Sequence, residues 1–222
     1  MEGSSSRQSP FRYLLFDLDG TLVDTTELIL SCYRATLFKL VDNPPSDEEI
    51  KKGFGTPTRQ QLWRLFPTLR DRVDELEDQW LQAYQRLHDD LVSPFPYTAE
   101  VLSELRRRGY PLGIVTSKRR VDVERVLPMF GLQSLLDVVV SVDDTDKHKP
   151  EPEPVLKGME MMSARPEATL YVGDSIADLQ AGRAAGVRVA AALWGPSPQG
   201  LLLGFNPDHA LHSLHDLLEL CP

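Results

Sequence analysis

The sequence predicts an α/β protein, a doubly wound parallel sheet with an inserted helical cap domain, and three observations predict it. Short apolar runs at about 11–17, 111–116, 137–141, 169–173 and 187–192 alternate with helical patterns. Between the first two runs the pattern is helical only, at about 25–41, 47–53, 57–66 and 69–91. Several of the runs end in acids or hydroxyls, at the sheet edge where open parallel sheets bind ligands. The expected division is a disordered terminus over 1–9, a core over 10–23 and 94–222, and a cap over 24–93.

Met1–Ser9 is polar and serine-rich, lacks the apolar core of a signal peptide, and reads as a frayed terminus. Phe11–Phe16 is aromatic and branched and reads as a buried strand that delivers Asp17 and Asp19, followed by Gly20, to the sheet edge. Two carboxylates this close repel unless a cation or a shared proton separates them. A magnesium site with one carboxylate free to attack phosphorus satisfies that condition. Taken alone, the motif also suits an ordinary turn. A calcium loop is excluded, because its glycine stands at the sixth position and a helix precedes it.

The helical stretch reads as a lid that excludes water and selects substrate. Lys52–Arg59, punctuated by Gly53, Gly55 and Pro57, is its candidate specificity loop. Backbone N–H groups at Gly55 can approach a second anion. Arg59 either pairs with a distal substrate charge or is the solvated arginine of a helix–helix turn.

The second core run ends in Thr116-Ser117, whose hydroxyl and following N–H groups either face an anion or cap a helix. Lys118-Arg119-Arg120 reads as a solvated face on that helix's first turns. His148–Pro154 is a proline-stiffened loop before a helix at about 153–163. It fixes Lys149 as an ammonium suited to neutralising a nucleophilic carboxylate and a phosphoryl oxygen. Lys147 lies nearby, and motif spacing selects Lys149.

Thr169–Gly173 ends in Asp174, and Asp178 follows four residues later on the first turn of a helix, facing the same side. By itself Asp178 is equally good capping chemistry. A third strand-end carboxylate beside Asp17 and Asp19 strengthens the magnesium reading. Trp194 lines the cleft mouth or packs against the C-terminal helix. His209, His212 and His215 recur every third residue without a completing ligand and read as a surface helix.

Composition agrees with an intracellular, cytoplasmic enzyme. Hydrophobic residues make up 41% of 222, and the net charge of −9 argues against nucleic acid as a partner. That charge repels anionic substrates at long range, so anion binding rests on local groups and metal. Cys32 and Cys221 are too few for a disulfide framework, and Cys32 reads as a buried thiol. No segment is long and apolar enough to span a membrane. A monomer or homodimer is expected.

Asp17-x-Asp19-Gly20-Thr21, the Thr116 strand end, Lys149-Pro150 and Gly173-Asp174-Ser175-x-x-Asp178 together resemble the haloacid dehalogenase superfamily on its phosphatase side. The match spans 11 to about 212. His88–Val92, Phe95-Pro96, Gly113–Lys118 and Val138–Asp144 leading to Lys149–Pro154 are similar to the phosphoglycolate phosphatase and PpaX-type pyrophosphatase group. The resemblance implies a Rossmann-like core and a role for each residue. Asp17 would attack phosphorus and form an aspartyl-phosphate, and Asp19 would act as acid and then base. The Asp19 backbone carbonyl would join the Asp17 and Asp174 carboxylates around Mg2+, with Asp178 behind them. Thr116 and Lys149 would hold the phosphoryl oxygens, with Ser117, Gly55 and Arg59 as further substrate contacts. Haloalkanoate dehalogenases lack the second acid, so Asp19 favours phosphoryl chemistry. The expected function is a magnesium-dependent phosphohydrolase of a small phosphorylated metabolite, pyrophosphate or phosphoglycolate leading. A sugar phosphomutase of the same fold and a non-catalytic module sensing a phosphorylated ligand are the alternatives.

Overall fold

The computed structural model describes residues 9–222. The frayed terminus expected over 1–9 lies, but for Ser9, outside the described residues. In chain order the elements are β1 (Tyr13–Phe16), β2 (Val23–Asp24), α1 (Thr26–Thr36), α2 (Asp47–Lys51), α3 (Thr58–Leu65), α4 (Val73–Leu91), β3 (Ser93–Pro94), α5 (Thr98–Arg107), β4 (Leu112–Val115) and α6 (Arg120–Met129). They continue with β5 (Val138–Val140), α7 (Glu153–Met162), β6 (Thr169–Gly173), α8 (Ile176–Ala184), β7 (Arg188–Ala192), α9 (Gln199–Gly204), β8 (His209–Leu211) and α10 (Asp216–Leu220).

Six strands form one parallel sheet in the order β5-β4-β1-β6-β7-β8. β1 lies at its centre, with Phe16 in register with Ile114 on one side and Val172 on the other. The chain winds outward from β1 in one direction and then in the other, so the carboxyl ends of β1, β4 and β6 surround the point where the winding reverses. Successive strand residues face opposite sides. Leu14 and Phe16 join the core beneath α5, α6 and α10, and Leu15 joins the one beneath α7 and α8.

The five expected strands are present. The sixth, β8, corrects the reading of a surface helix at the C-terminal histidines. His209 begins a strand paired with β7, and its ring meets Phe11 edge-on with centroids 5.6 Å apart. Three residues are too few to show a two-residue period against the background of histidine spacing.

The helices α1 to α4 enclose their own apolar cluster, in which Tyr33, Trp80 and Tyr84 are the largest members. Both crossings between this cap and the sheet pass through one antiparallel ribbon, where Val23 and Asp24 pair with Pro94 and Ser93. On α4, Leu76, Trp80, Ala83 and Tyr84 fall at spacings of three and four and so share one buried face. Cys32 and Cys221 are buried free thiols. Among the described residues no helix is long and apolar enough to cross a membrane.

Candidate active site

β1 ends where Asp17 continues the ladder, its N–H donating to Val172 O at 2.8 Å. Gly20 then turns the chain with φ +88°, and a Cβ there would collide with the Asp174 carboxylate. Glycine is needed on both counts, because a side chain is strained in that conformation and blocks the approach of the second acid. Asp174 reaches the same edge from β6, where its Oδ1 accepts from Thr21 Oγ1 at 2.9 Å.

Lys149 lies among them, fully buried, its Nζ 2.7 Å from Asp17 Oδ1 and 2.6 Å from Asp178 Oδ1. The Tyr171 hydroxyl completes this nest at 3.3 Å from Nζ and 3.0 Å from Asp178 Oδ1. Burial opposes the ammonium, but Asp17 and Asp178 hold its pKa above the ordinary lysine value. Asp178 caps α8, as the sequence allowed, and holds Lys149 as well. Its Oδ2 accepts from Ser175 N and Oγ in a capping box on α8, while its Oδ1 holds Lys149.

Carboxylate oxygens of Asp17, Asp174 and Asp178 lie within 4.8 Å of one another, all buried. Burial and the Asp178 carboxylate push the Asp17 carboxyl up to about 7, against the pull of Lys149. Burial, then Asp178 and Asp17, lift Asp174 well above the usual carboxylate range. The donor set fits a hard divalent cation. Asp178 has both oxygens engaged, whereas Asp17 Oδ2 and Asp174 Oδ2 have no protein hydrogen-bond partner among the described residues. The charges fit as well. Counted as fully ionised, Asp17, Asp19, Asp174 and Asp178 carry four negative charges against the two of Lys149 and Lys118 among the described residues, an excess of two that a divalent cation would balance.

A cavity of about 280 Å³ opens over this floor, and Asp17, Asp19, Thr116, Ser117 and Lys118 line its base. Thr116 is buried and its Oγ1 accepts from Lys118 N at 3.2 Å. The helix expected directly after Thr116 starts later, at Arg120, so Thr116 is not its cap. The reading of Lys118 as part of a solvated run is also corrected. It is buried, its Nζ 2.7 Å from Asp19 Oδ1 and 2.6 Å from Tyr84 OH. Its position directly after the Thr116-Ser117 strand end was the available signal, obscured by the two arginines that follow.

The roof is the cap. Tyr33, Phe54, Trp80 and Tyr84 form its apolar part, with Gly55 beside them. Gly55 O accepts from Ser117 Oγ at 2.8 Å, a direct bond from core to cap loop. Arg59 lies outside the lining residues. Its guanidinium meets Asp74 at 2.6 Å and Glu77 at 3.0 Å on the cap surface, which places it with the solvated-arginine reading. Trp194 packs on the core and donates to Thr21 O at 2.9 Å; it does not line the cavity. Trp80 and Tyr84 escaped the sequence because helical spacing marks both simply as core aromatics.

Comparison with known proteins gives the same picture. The family model of the haloacid dehalogenase-like hydrolases matches residues 14–192. The pyrophosphatase PpaX of Bacillus mycoides is 36% identical over 207 residues, 93% of this chain and 95% of the relative. A haloacid dehalogenase-like hydrolase structure from Bacteroides fragilis superposes with a TM-score of 0.87 at 26% identity, covering 93% of this chain and 99% of that one. A proposed phosphoglycolate phosphatase from Lactobacillus plantarum does so with 0.85 at 28% identity, covering 95% and 99%.

Proposed function

The chain belongs to the haloacid dehalogenase-like hydrolases, and from that membership we propose that it is a magnesium-dependent phosphohydrolase of small phosphorylated molecules, acting through an aspartyl-phosphate on Asp17. The observation that carries this reading is the Lys149 ammonium bound between Asp17 and Asp178 beneath a capped cavity. It fixes one carboxylate at a strand end for attack and puts positive charge where a phosphoryl group would arrive.

Mg2+ would be held by the unpartnered oxygens of Asp17 and Asp174, and when bound it would neutralise charge on the phosphoryl oxygens. The chain's own residues supply the rest. An Asp17 oxygen attacks phosphorus, and the bond from phosphorus to the leaving oxygen breaks as the new P–O bond forms. Asp19 gives its proton to that leaving oxygen. It then takes a proton from the water that attacks the phosphoenzyme, and the Asp17–phosphorus bond breaks to release phosphate. Lys149 holds Asp17 in line throughout, and Thr116 offers its hydroxyl to the phosphoryl group.

Pyrophosphate and phosphoglycolate are the preferred substrates, because the PpaX relative and the Lactobacillus plantarum structure carry those activities in their names. Unpaired buried thiols support a cytoplasmic setting. The test is phosphate release from pyrophosphate, phosphoglycolate, hexose phosphates and nucleotides with magnesium present, Asp17→Asn serving as control. Asp17→Asn should cost about 10⁴-fold or more while the fold is kept, and unimpaired release by that variant would sink the proposal. Recovery of an isomerised sugar phosphate instead of free phosphate would establish the mutase. Tight phosphate-ester binding without turnover would establish the sensing module.

A further inference from the structure

Lys118 is held at more points than a substrate-binding side chain needs. Its N–H donates to Thr116 Oγ1 at 3.2 Å, and its carbonyl accepts from Val142 N at 3.1 Å. The buried ammonium bridges Asp19 Oδ1 and Tyr84 OH at 2.7 and 2.6 Å. The second contact is a hydrogen bond to the hydroxyl: Nζ is 5.3 Å from the ring centroid, beyond the ring's edge on the oxygen side. Tyr84 cannot turn freely. On α4 it lies between Trp80 and His88, with ring centroids 5.2 and 5.4 Å away. Asp19, by contrast, keeps Oδ2 free of protein partners among the described residues, and a quarter of its side chain (26%) is exposed beside the cavity. One oxygen of the carboxylate is therefore pinned while the other stays open to a ligand.

We propose that Lys118 is a positioning residue for Asp19 and that Tyr84 ties it to the cap, so that the proton donor is held in register only with α4 closed over the site. This rests on the reading of Asp19 as acid and base. The ammonium takes one carboxylate oxygen and leaves Oδ2 to face the leaving oxygen. Tyr84 fixes the ammonium, and α4 carries Tyr84 as part of the packed cap. A cap displaced by even an ångström loses the 2.6 Å bond, and Lys118 then has one anchor fewer with which to hold Asp19. Cap closure and proton donation are thereby coupled through a single hydroxyl.

The experiment measures kcat and KM for Lys118→Met and Tyr84→Phe across phosphate esters that run from nitrophenyl to alkyl leaving groups. Lys118→Met is expected to lower kcat about 10²-fold for alkyl esters and much less for nitrophenyl phosphate, which needs no proton donor, with KM within about twofold. Tyr84→Phe keeps the ring stack and removes only the hydroxyl, so it is folded even if Lys118→Met is not; it should show the same pattern at about tenfold. A raised KM with kcat intact would make Lys118 a substrate ligand and overturn the proposal. Equal losses for every leaving group would overturn it too, and wild-type kinetics for Tyr84→Phe would remove the cap coupling. Asp19→Asn run in parallel separates the two levels. If that variant shows no dependence on leaving group, the acid reading itself has failed; if it does and Lys118→Met does not, only the positioning role has.

Discussion

Asp17, Lys149 and Asp178 meet at and just beneath the cavity floor through bonds of 2.7 and 2.6 Å, whereas Tyr33, Trp80 and Tyr84 meet on its roof through rings 6.0 and 5.2 Å apart. The floor is held by charge in a buried setting, where each group is costly unless its partner is present. The roof is held by dispersion and burial, which tolerate changes of shape. Chemistry that must be positioned to a fraction of an ångström sits on strand ends of a rigid sheet, and selection sits on helices that can be repacked. Lys118 is the exception that joins them, a floor charge whose second anchor hangs from the roof.

The contrast is tested most severely by Lys149→Met. Removing the ammonium leaves Asp17 and Asp178 buried without their shared partner, and loss of one member of a buried pair costs about 3–5 kcal/mol. Turnover should fall about 10²–10³-fold, the scale for removing one preorganised charge from a phosphoryl site. Chemical denaturation and kcat on the same preparation would check both. A stable, active variant would mean that the floor is not organised by charge.

Magnesium should act on the floor alone. In the metal-free protein the Asp17 and Asp174 carboxyls are raised by burial and by neighbouring acids, Asp17 to about 7 from 3.8. The folded state then binds more protons than the unfolded one, so stability is full below the unfolded value and is lost as pH rises through the folded values. The melting temperature of metal-free protein should therefore fall between about pH 5 and pH 8. Magnesium at a hundredfold over its Kd should add about 2.7 kcal/mol, or about 5–11 °C for a chain of this size. At one fixed magnesium concentration the gain should be larger at the higher pH, where fewer protons compete for the carboxylates, and a gain independent of pH would place the ion elsewhere.

Gly55→Ala probes the joint between floor and roof. Its φ of +85° strains any side chain, and a Cβ would strike Ser175 Oγ at the start of α8. The conformational cost is about 1–2 kcal/mol. Relief requires the cap loop to lift from the core, away from the Ser117 hydroxyl that it accepts. About a tenfold loss in kcat is expected, with the cap's own apolar cluster intact by circular dichroism. Full activity would show that the loop's seat on Ser175 is immaterial to closure.

How much of this was legible follows the same division. Asp17, Asp174 and Lys149 announced themselves because each stands at a fixed offset from a strand end or a proline, and local backbone geometry alone delivers them to the sheet edge. The ribbon of β2 and β3 did not, since two-residue strands that include Pro94 carry no periodic signal. Lys118 was hidden in a run of three cations, of which Arg119 and Arg120 are half-buried and pair with Asp122 and Asp144. Only tertiary structure distinguishes the first of the three from the other two, because its partners Asp19 and Tyr84 stand 99 and 34 residues away.

Arg59→Ala should have the smallest effect of all. The sequence offered it as a contact for a distal anion, on the argument that glycines and a proline bring the cap loop close to substrate. The loop does come close, through Gly55, but the arginine points along the cap to Asp74 and Glu77, and nearly half of its side chain is exposed. Surface pairs of this kind contribute little, because water already solvates both partners and salt screens them. KM for pyrophosphate and phosphoglycolate should stay within about twofold of wild type, with the same insensitivity at low and high ionic strength. A tenfold rise in KM for either substrate would mean that the guanidinium leaves its two carboxylates to meet the ligand, and the roof would then bind by charge as the floor does.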